Sequence, residues 1–370
     1  MTAHAKYAPS GMYPTVNCHG RRTMIHGIEE EETESSKEGT AAHWVGECLF
    51  FGRPVGVDDL TPNGVIVTDE MIEAAHQYVD VVRSVTTNAS IETRVSMPQI
   101  HTDCWGTPDA FWYDEALDVV HVWDFKYGHG SVVAFENYQL MAYALGVLNA
   151  LGKPFLLATK IVLNIVQPRC YDGNGLVRTW NTTFGGIRDY IGEMATACAA
   201  SDSNTAPVSS GRHCTYCPGR HVCPAAREAA AKAFEYIMSP LPQIVSNNAL
   251  GYELEILELA EEAVKNRKEA LEIDALSRMR SGKPIPGFDV VQGYSRDKWL
   301  KPKEEVVALG SLMGVDLTKT DVITPTQAKT LLKKNAIDGS VIKPYHGKQP
   351  TSMKLVRDDG SRAKLIFNQE

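Results

Sequence analysis

The sequence predicts an α/β core, a central mixed sheet flanked by helices, followed by a C-terminal helical stretch and a small α+β extension. Three observations predict it. Residues 106–126, GTPDAFWYDEALDVVHVWDFK, read as a β-hairpin with a polar turn at Asp114-Glu115-Ala116. Around that hairpin, segments with helical apolar spacing alternate with β-branched apolar runs. After Cys214, Cys217 and Cys223 the pattern changes to long charged helices, then to basic residues mixed with aromatics.

The chain has 370 residues, enough for one large domain with an extension or for two domains. With 44% apolar and 22% charged residues, the composition is that of an ordinary soluble protein. No apolar run reaches the roughly 20 residues of a membrane span, so no membrane partner is expected. MTAHAKYAPS at the start lacks the basic-then-apolar order of a signal peptide, so a cytoplasmic location is expected. Eight cysteines in such a compartment suggest metal or redox chemistry before disulfides. A net charge of −8 argues against a wholly electrostatic nucleic-acid binder but leaves room for a local basic surface.

Taken in order, residues 1–40 are polar and read as mostly irregular, with an acidic run over Glu29–Glu32. Thr40 is the expected cap of a helix running through Leu49, on which His43 and Glu47 share a face. Residues 51–65 carry Gly, Pro and Asn and read as a loop, and 68–85 as an amphipathic helix. Ser90–Met97 alternates and reads as the first strand, with Glu92 facing either the site or solvent. A helix is expected from Phe135 to about Leu151, placing Gln139 and Tyr143 on one stripe. Phe155–Gln167 reads as one or two central strands ended by Pro168, Val177–Thr182 as another strand, and Phe184–Ala200 as a helix with Cys198 in the core. Residues 225–281 read as helical, and Thr324-Pro325 starts a short helix. From Arg296 onward Lys and Arg outnumber Asp and Glu, 14 to 9; with aromatics among them, that region suits single-stranded DNA or serves as a plain cap.

The chemistry concentrates at two places. In the second hairpin strand Asp124 and Lys126 point the same way and Phe125 the other, into a core. Pro108-Asp109 comes from the preceding strand. Two close carboxylates repel unless a cation lies between them, and a hard divalent ion suits oxygen ligands. The plainer reading is a solvated Asp–Lys pair worth about 0–1 kcal/mol. The second place is Cys214-x2-Cys217-x5-Cys223, three thiols in a Gly- and Pro-containing loop that suits zinc or an iron–sulfur cluster. A fourth ligand could be His213 or His221 for zinc, or Cys18 for a four-thiolate cluster.

The order Cys18, Gly39-Thr40-x-x-His43, Gly106-x-Pro108-Asp109, Asp124-x-Lys126, Gln139-x-x-x-Tyr143, Cys214-x2-Cys217-x5-Cys223 resembles the iron–sulfur branch of the RecB-like PD-(D/E)xK nucleases. That branch includes the AddB nuclease domain and the CRISPR-adaptation nucleases. The resemblance is closest to an uncharacterised phage and prophage group, covers residues 15 to about 230, and continues weakly from Pro286-Gly287-Phe288 to Trp299. It implies a restriction-endonuclease-like core over 1–230 closed by a four-cysteine cluster, a helical linker over 231–282, and a basic α+β extension over 283–370. It implies that His43, Asp109, Asp124 and the Phe125 carbonyl hold Mg2+ or Mn2+. Lys126 would position or deprotonate the attacking water, and Gln139 and Tyr143 would steady DNA. Cys18, Cys214, Cys217 and Cys223 would hold a 4Fe–4S cluster, with Zn2+ as the alternative.

The implied function is a metal-dependent DNA exonuclease, phage-encoded and serving recombination or replication in the host cytoplasm. Its partners would be DNA ends or single strands and a phage single-strand-binding or annealing protein, and an oligomer is compatible with it. The alternatives are a non-catalytic DNA-end-binding module and a zinc-stabilised endonuclease.

Overall fold

A computed structural model describes residues 5–28, 32–170, 175–238, 246–294, 298–318, 323–335, 337–347 and 350–357. Most of the acidic run at 29–32, together with Arg296 and the last thirteen residues, lies outside them. The chain divides into two compact units, Met1–Arg267 and Lys268–Glu370.

The first unit begins with two short helices, α1 (Met12–Asn17) and α2 (Arg21–Ile25), in a region expected to be irregular. Long-range contacts fix this segment in place. Tyr7 donates its hydroxyl to the Cys198 carbonyl at 3.0 Å and to Asp202 at 2.6 Å, and Lys6 pairs with Asp202 at 2.6 Å. Helix α3 (Glu34–Phe50) starts earlier than Thr40. Thr33 is the cap, accepting the Ser36 amide, while Thr40 sits inside the helix and donates to the Ser36 carbonyl. Helix α4 (Asp69–Arg83) is capped by Thr68, carries Asp69 and Glu70 in its first turn and ends near Arg83, as the helix dipole favours.

Next come β1 (Ser90–Ile91), β2 (Val95–Ser96), β3 (Trp105–Gly106), β4 (Ala110–Asp114) and β5 (Val119–Phe125). Helix α5 (Tyr138–Ala150) follows, capped by Asn137, whose side chain accepts the Gln139 and Leu140 amides. Then come β6 (Lys160–Val166), β7 (Val177–Thr183) and α6 (Phe184–Ser201). The strand expected over 155–167 begins only at Lys160. Pro154 precedes a turn in which Leu156 and Leu157 stay exposed.

The main sheet is mixed, in the order β1-β4-β5-β6-β7. β4 and β5 form the expected antiparallel hairpin, β6 runs parallel to β5, and β7 is antiparallel to β6. The parallel step needs a crossover, which α5 supplies. Helices flank both faces. Val120, Val122, Leu163 and Ile165 pack into one core with Leu140, Leu145 and Ile187 of α5 and α6. Trp123, Phe125 and Val166 pack into another with Ala42, Val45, Met71 and Val79 of α3 and α4. Strand alternation separates the two sets, so Phe125 enters a core as expected and is fully buried.

Beyond the cysteine loop lie α7 (Pro224–Met238) and α8 (Asn247–Arg280), and the boundary between the units falls within α8. The second unit pairs β8 (Phe288–Tyr294) with β11 (Pro350–Arg357) and β9 (Lys298–Trp299) with β10 (His346–Gly347). Its core of Val306, Leu317, Ala328, Leu332 and Ile342 involves α9 (Lys303–Leu312) and α10 (Pro325–Lys334). Thr324 opens α10 with a capping box to Gln327. Among the described residues no helix is long and apolar enough to cross a membrane.

Candidate active site

The polar residues gather where β5 ends. Asp109, just before β4, sends one carboxylate oxygen to the Phe125 amide at 2.6 Å and the other to His43 Nδ1 at 3.1 Å. α3 thus delivers His43 to the hairpin, and the His43 ring lies 5.3 Å from that of Phe125. Asp124 pairs with Lys126 Nζ at 2.8 Å and accepts the Gln139 amide at 2.9 Å. Lys126 also donates to Gln139 Oε1 at 3.4 Å.

Glu92 joins this group through strand register. β1 pairs Ile91 with Ala110, and β2 and β3 pair Val95 with Gly106. These are one antiparallel ribbon in a single register, interrupted between them, and that register sets Glu92 opposite Asp109. The Glu92 amide donates to the Asp109 carbonyl at 3.1 Å. Its φ of 46° lies in the left-handed region, which costs a non-glycine residue about 1–2 kcal/mol and breaks the strand expected over 90–97. Ligand atoms of His43, Glu92 and Asp109 all lie within 4.8 Å of one another. These three side chains together could hold a metal ion, while Asp124 is engaged by Lys126 and Gln139. Phe125 meets Asp109 through its backbone amide.

The electrostatics follow from this crowding. Burial alone would raise Asp109, yet the His43 and Lys126 charges hold it below the usual carboxylate range. Burial pushes Asp124 upward, against the pull of Lys126 and with a further push from Asp109. Burial would lower His43, but Asp109 carries it to about 9. Burial and the Asp109 charge push Glu92 up to about 8. Burial would also lower Lys126, but Asp124 lifts it above the ordinary lysine value, so it stays an ammonium.

Gln139 faces the Asp124–Lys126 pair and is half-buried, whereas Tyr143 is buried. Tyr143 packs under Gly106, where a Cβ would come within 3.0 Å of its ring and 2.8 Å of Pro9. Glu92 is the site residue that sequence reasoning left undecided. Its signal was alternation along 90–97, which the left-handed residue itself disrupts.

The four cysteines singled out in sequence, Cys18, Cys214, Cys217 and Cys223, line one small cavity with His213 and Arg220. Cys18 reaches it because the N-terminal segment lies against residues 206–209. Gly20 donates its amide to the Pro207 carbonyl at 2.8 Å, and a Cβ there would fall 2.5 Å from the Ala206 carbonyl. The Ser209 amide donates to Cys18 Sγ at 3.4 Å. Burial would raise the Cys18 and Cys214 thiols, but hydrogen bonds from His213 carry both below the ordinary value, and the two sulfurs in turn raise His213 to about 10. Burial pushes the Cys217 thiol up instead; four sulfurs around one cavity, two of them poised toward thiolate, suit a soft metal centre. His221 points its Nδ1 at the Pro218 carbonyl, 2.9 Å away. Among the described residues, the only three ligand atoms mutually within 4.8 Å are those of His43, Glu92 and Asp109. Cys198 is a core residue, as expected.

Among solved structures, one titled "Crystal structure of SSO0001" is similar to this chain at 11% identity and a TM-score of 0.25, over 56% of this chain and 94% of that one. A likeness that distant transfers neither fold nor role. Over residues 4–363 the sequence matches the family described as "Protein of unknown function (DUF2800)", and the chain belongs to that family.

Proposed function

We propose that this protein is a divalent-cation-dependent deoxyribonuclease of the RecB-like PD-(D/E)xK type, a phage-borne exonuclease acting on DNA ends in recombination or replication. The observation that supports this reading is the convergence of Asp109, Asp124, Lys126, His43 and Glu92 at one end of the β4–β5 hairpin. Hydrolysis of a phosphodiester needs an activated water and neutralised charge, and a bound Mg2+ or Mn2+ supplies both. His43, Asp109 and Glu92 would hold it, with Asp124 alongside. Gln139 fixes Asp124, and Asp124 fixes the Lys126 ammonium. Lys126 would position or deprotonate the attacking water, and the upward pull of Asp124 on its ammonium supports the positioning role.

The cysteine cavity fits a 4Fe–4S cluster held by Cys18, Cys214, Cys217 and Cys223. Four thiolates are the usual ligand set of such a cluster, and Zn2+ on the same residues is the alternative. Such a cluster would tie the N-terminal segment to the end of the unit and take no part in hydrolysis.

The test is digestion of end-labelled single- and double-stranded DNA with Mg2+ or Mn2+, comparing the wild type with Lys126→Ala and Asp124→Ala. Cation-dependent nucleotide loss in the wild type alone is expected. DNA binding without turnover under every cation condition would instead identify an end-binding module, and cutting of closed circles an endonuclease.

A further inference from the structure

The α3/α4 side of the cation site holds a group that the reading above does not use. Tyr78, on α4, is 3% exposed, and among the described residues its hydroxyl has no hydrogen-bond partner. Its ring stacks flat on Phe125, with centroids 4.7 Å apart and planes 6° apart, and meets Phe50 edge-on at 5.4 Å. Phe125 in turn packs against His43 and gives its amide to Asp109. Tyr78, Phe125 and His43 therefore form one wall, and the phenol lies in the field of Asp109, Glu92 and Asp124.

A buried hydroxyl without a partner costs about 1–3 kcal/mol, and a phenylalanine would fill the same ring site without that cost. Orphaned buried groups in folded proteins commonly mark a missing ion or water. Mg2+ and Mn2+ characteristically keep several of their waters when bound by a few carboxylates. A buried oxygen donor on the ring stacked over Phe125, which itself meets both His43 and Asp109, can hold such a water.

We propose that Tyr78 is a positioning residue of the cation site, its hydroxyl donating a hydrogen bond to a hydration water of the ion held by His43, Glu92 and Asp109. The proposal rests on the metal-centre reading above and extends it to a residue outside the nuclease motifs. Tyr78 then sets how firmly the hydrated ion is held, while His43, Glu92 and Asp109 set whether it is held at all.

The test compares the wild type, Tyr78→Phe and His43→Gln, each freed of divalent ions. Calorimetric Mn2+ titration gives Kd, and thermal melts with and without Mn2+ give the shift on binding. For Tyr78→Phe the expected result is an unchanged or higher melting temperature without Mn2+, a Kd about five- to tenfold weaker, and a smaller Mn2+-induced shift. The proposal is overturned if Tyr78→Phe binds Mn2+ as the wild type does, or if its melting temperature falls equally with and without the ion. No saturable Mn2+ binding by the wild type, with His43→Gln indistinguishable from it, would instead refute the metal-centre reading itself.

Discussion

Loading the cation site should expel protons, so affinity for Mg2+ should climb steeply with pH. Before the ion enters, the Asp109 charge keeps His43 protonated up to about 9, and burial with that same charge keeps Glu92 protonated up to about 8. A cation takes only the neutral imidazole and the carboxylate, so both protons must leave. At pH 7 the imidazole lies about two pH units below its midpoint and Glu92 about one, which at 1.36 kcal/mol per unit costs about 4 kcal/mol. Affinity at neutral pH should thus be about a thousandfold below its alkaline limit. The sign is fixed: each group is protonated in the free state and deprotonated in the loaded one, so binding strengthens as pH rises. The slope should be about two decades per pH unit below 8, about one between 8 and 9, and flat above. Titration calorimetry in two buffers of different ionisation heat counts the protons directly, and His43→Gln should remove one of the two. An affinity that changes less than about threefold between about pH 6.5 and about 8.5 would refute the reasoning.

Cys18→Ala should lower iron and sulfide content in protein prepared without air and loosen the N-terminal segment; wild-type content would show that Cys18 is not a ligand. Gly146→Ala should destabilise by about 1–2 kcal/mol in urea melts despite the better helix propensity of alanine, because its Cβ would fall 2.7 Å from Val95 and 2.6 Å from the fully buried Met97. Asn137→Ala should cost about 1 kcal/mol, since the Gln139 and Leu140 amides lose their acceptor, and should also weaken the hold of Gln139 on Asp124.

The hairpin was legible because its signals are local: a polar turn, β-branched residues and strict alternation that puts Asp124 and Lys126 on one face and Phe125 on the other. Helix α4 was legible for the same reason, with Thr68 and two acidic residues marking its start. Helix α3 was harder, because Thr33 and Thr40 are equally good caps and only the path of the preceding chain decides between them. Glu92 stayed undecided between the site and solvent. Its place in the site depends on a left-handed backbone that no β-propensity anticipates, and on a register that continues across the break between the two strand pairs of one ribbon. Tyr78 was hidden more completely, since on an apolar helix face a buried tyrosine reads as core until its hydroxyl is found without a partner. The three clustered cysteines announced themselves by spacing, while Cys18 stood beside His213 and His221 as one open choice of fourth ligand until the resemblance singled it out, and the fold shows what carries it to the same cavity.

That nearness has a topological outcome. Cys18 touches Ser209, 191 residues later in the chain, and everything between them, the whole sheet and its helices, hangs inside the loop so formed. Fastening a ring of that size would remove on the order of 5 kcal/mol of freedom from the unfolded chain. Oxidative damage at that buckle would therefore be felt as slackening of the entire belt, including the strands and helix that bring His43, Asp109 and Asp124 together.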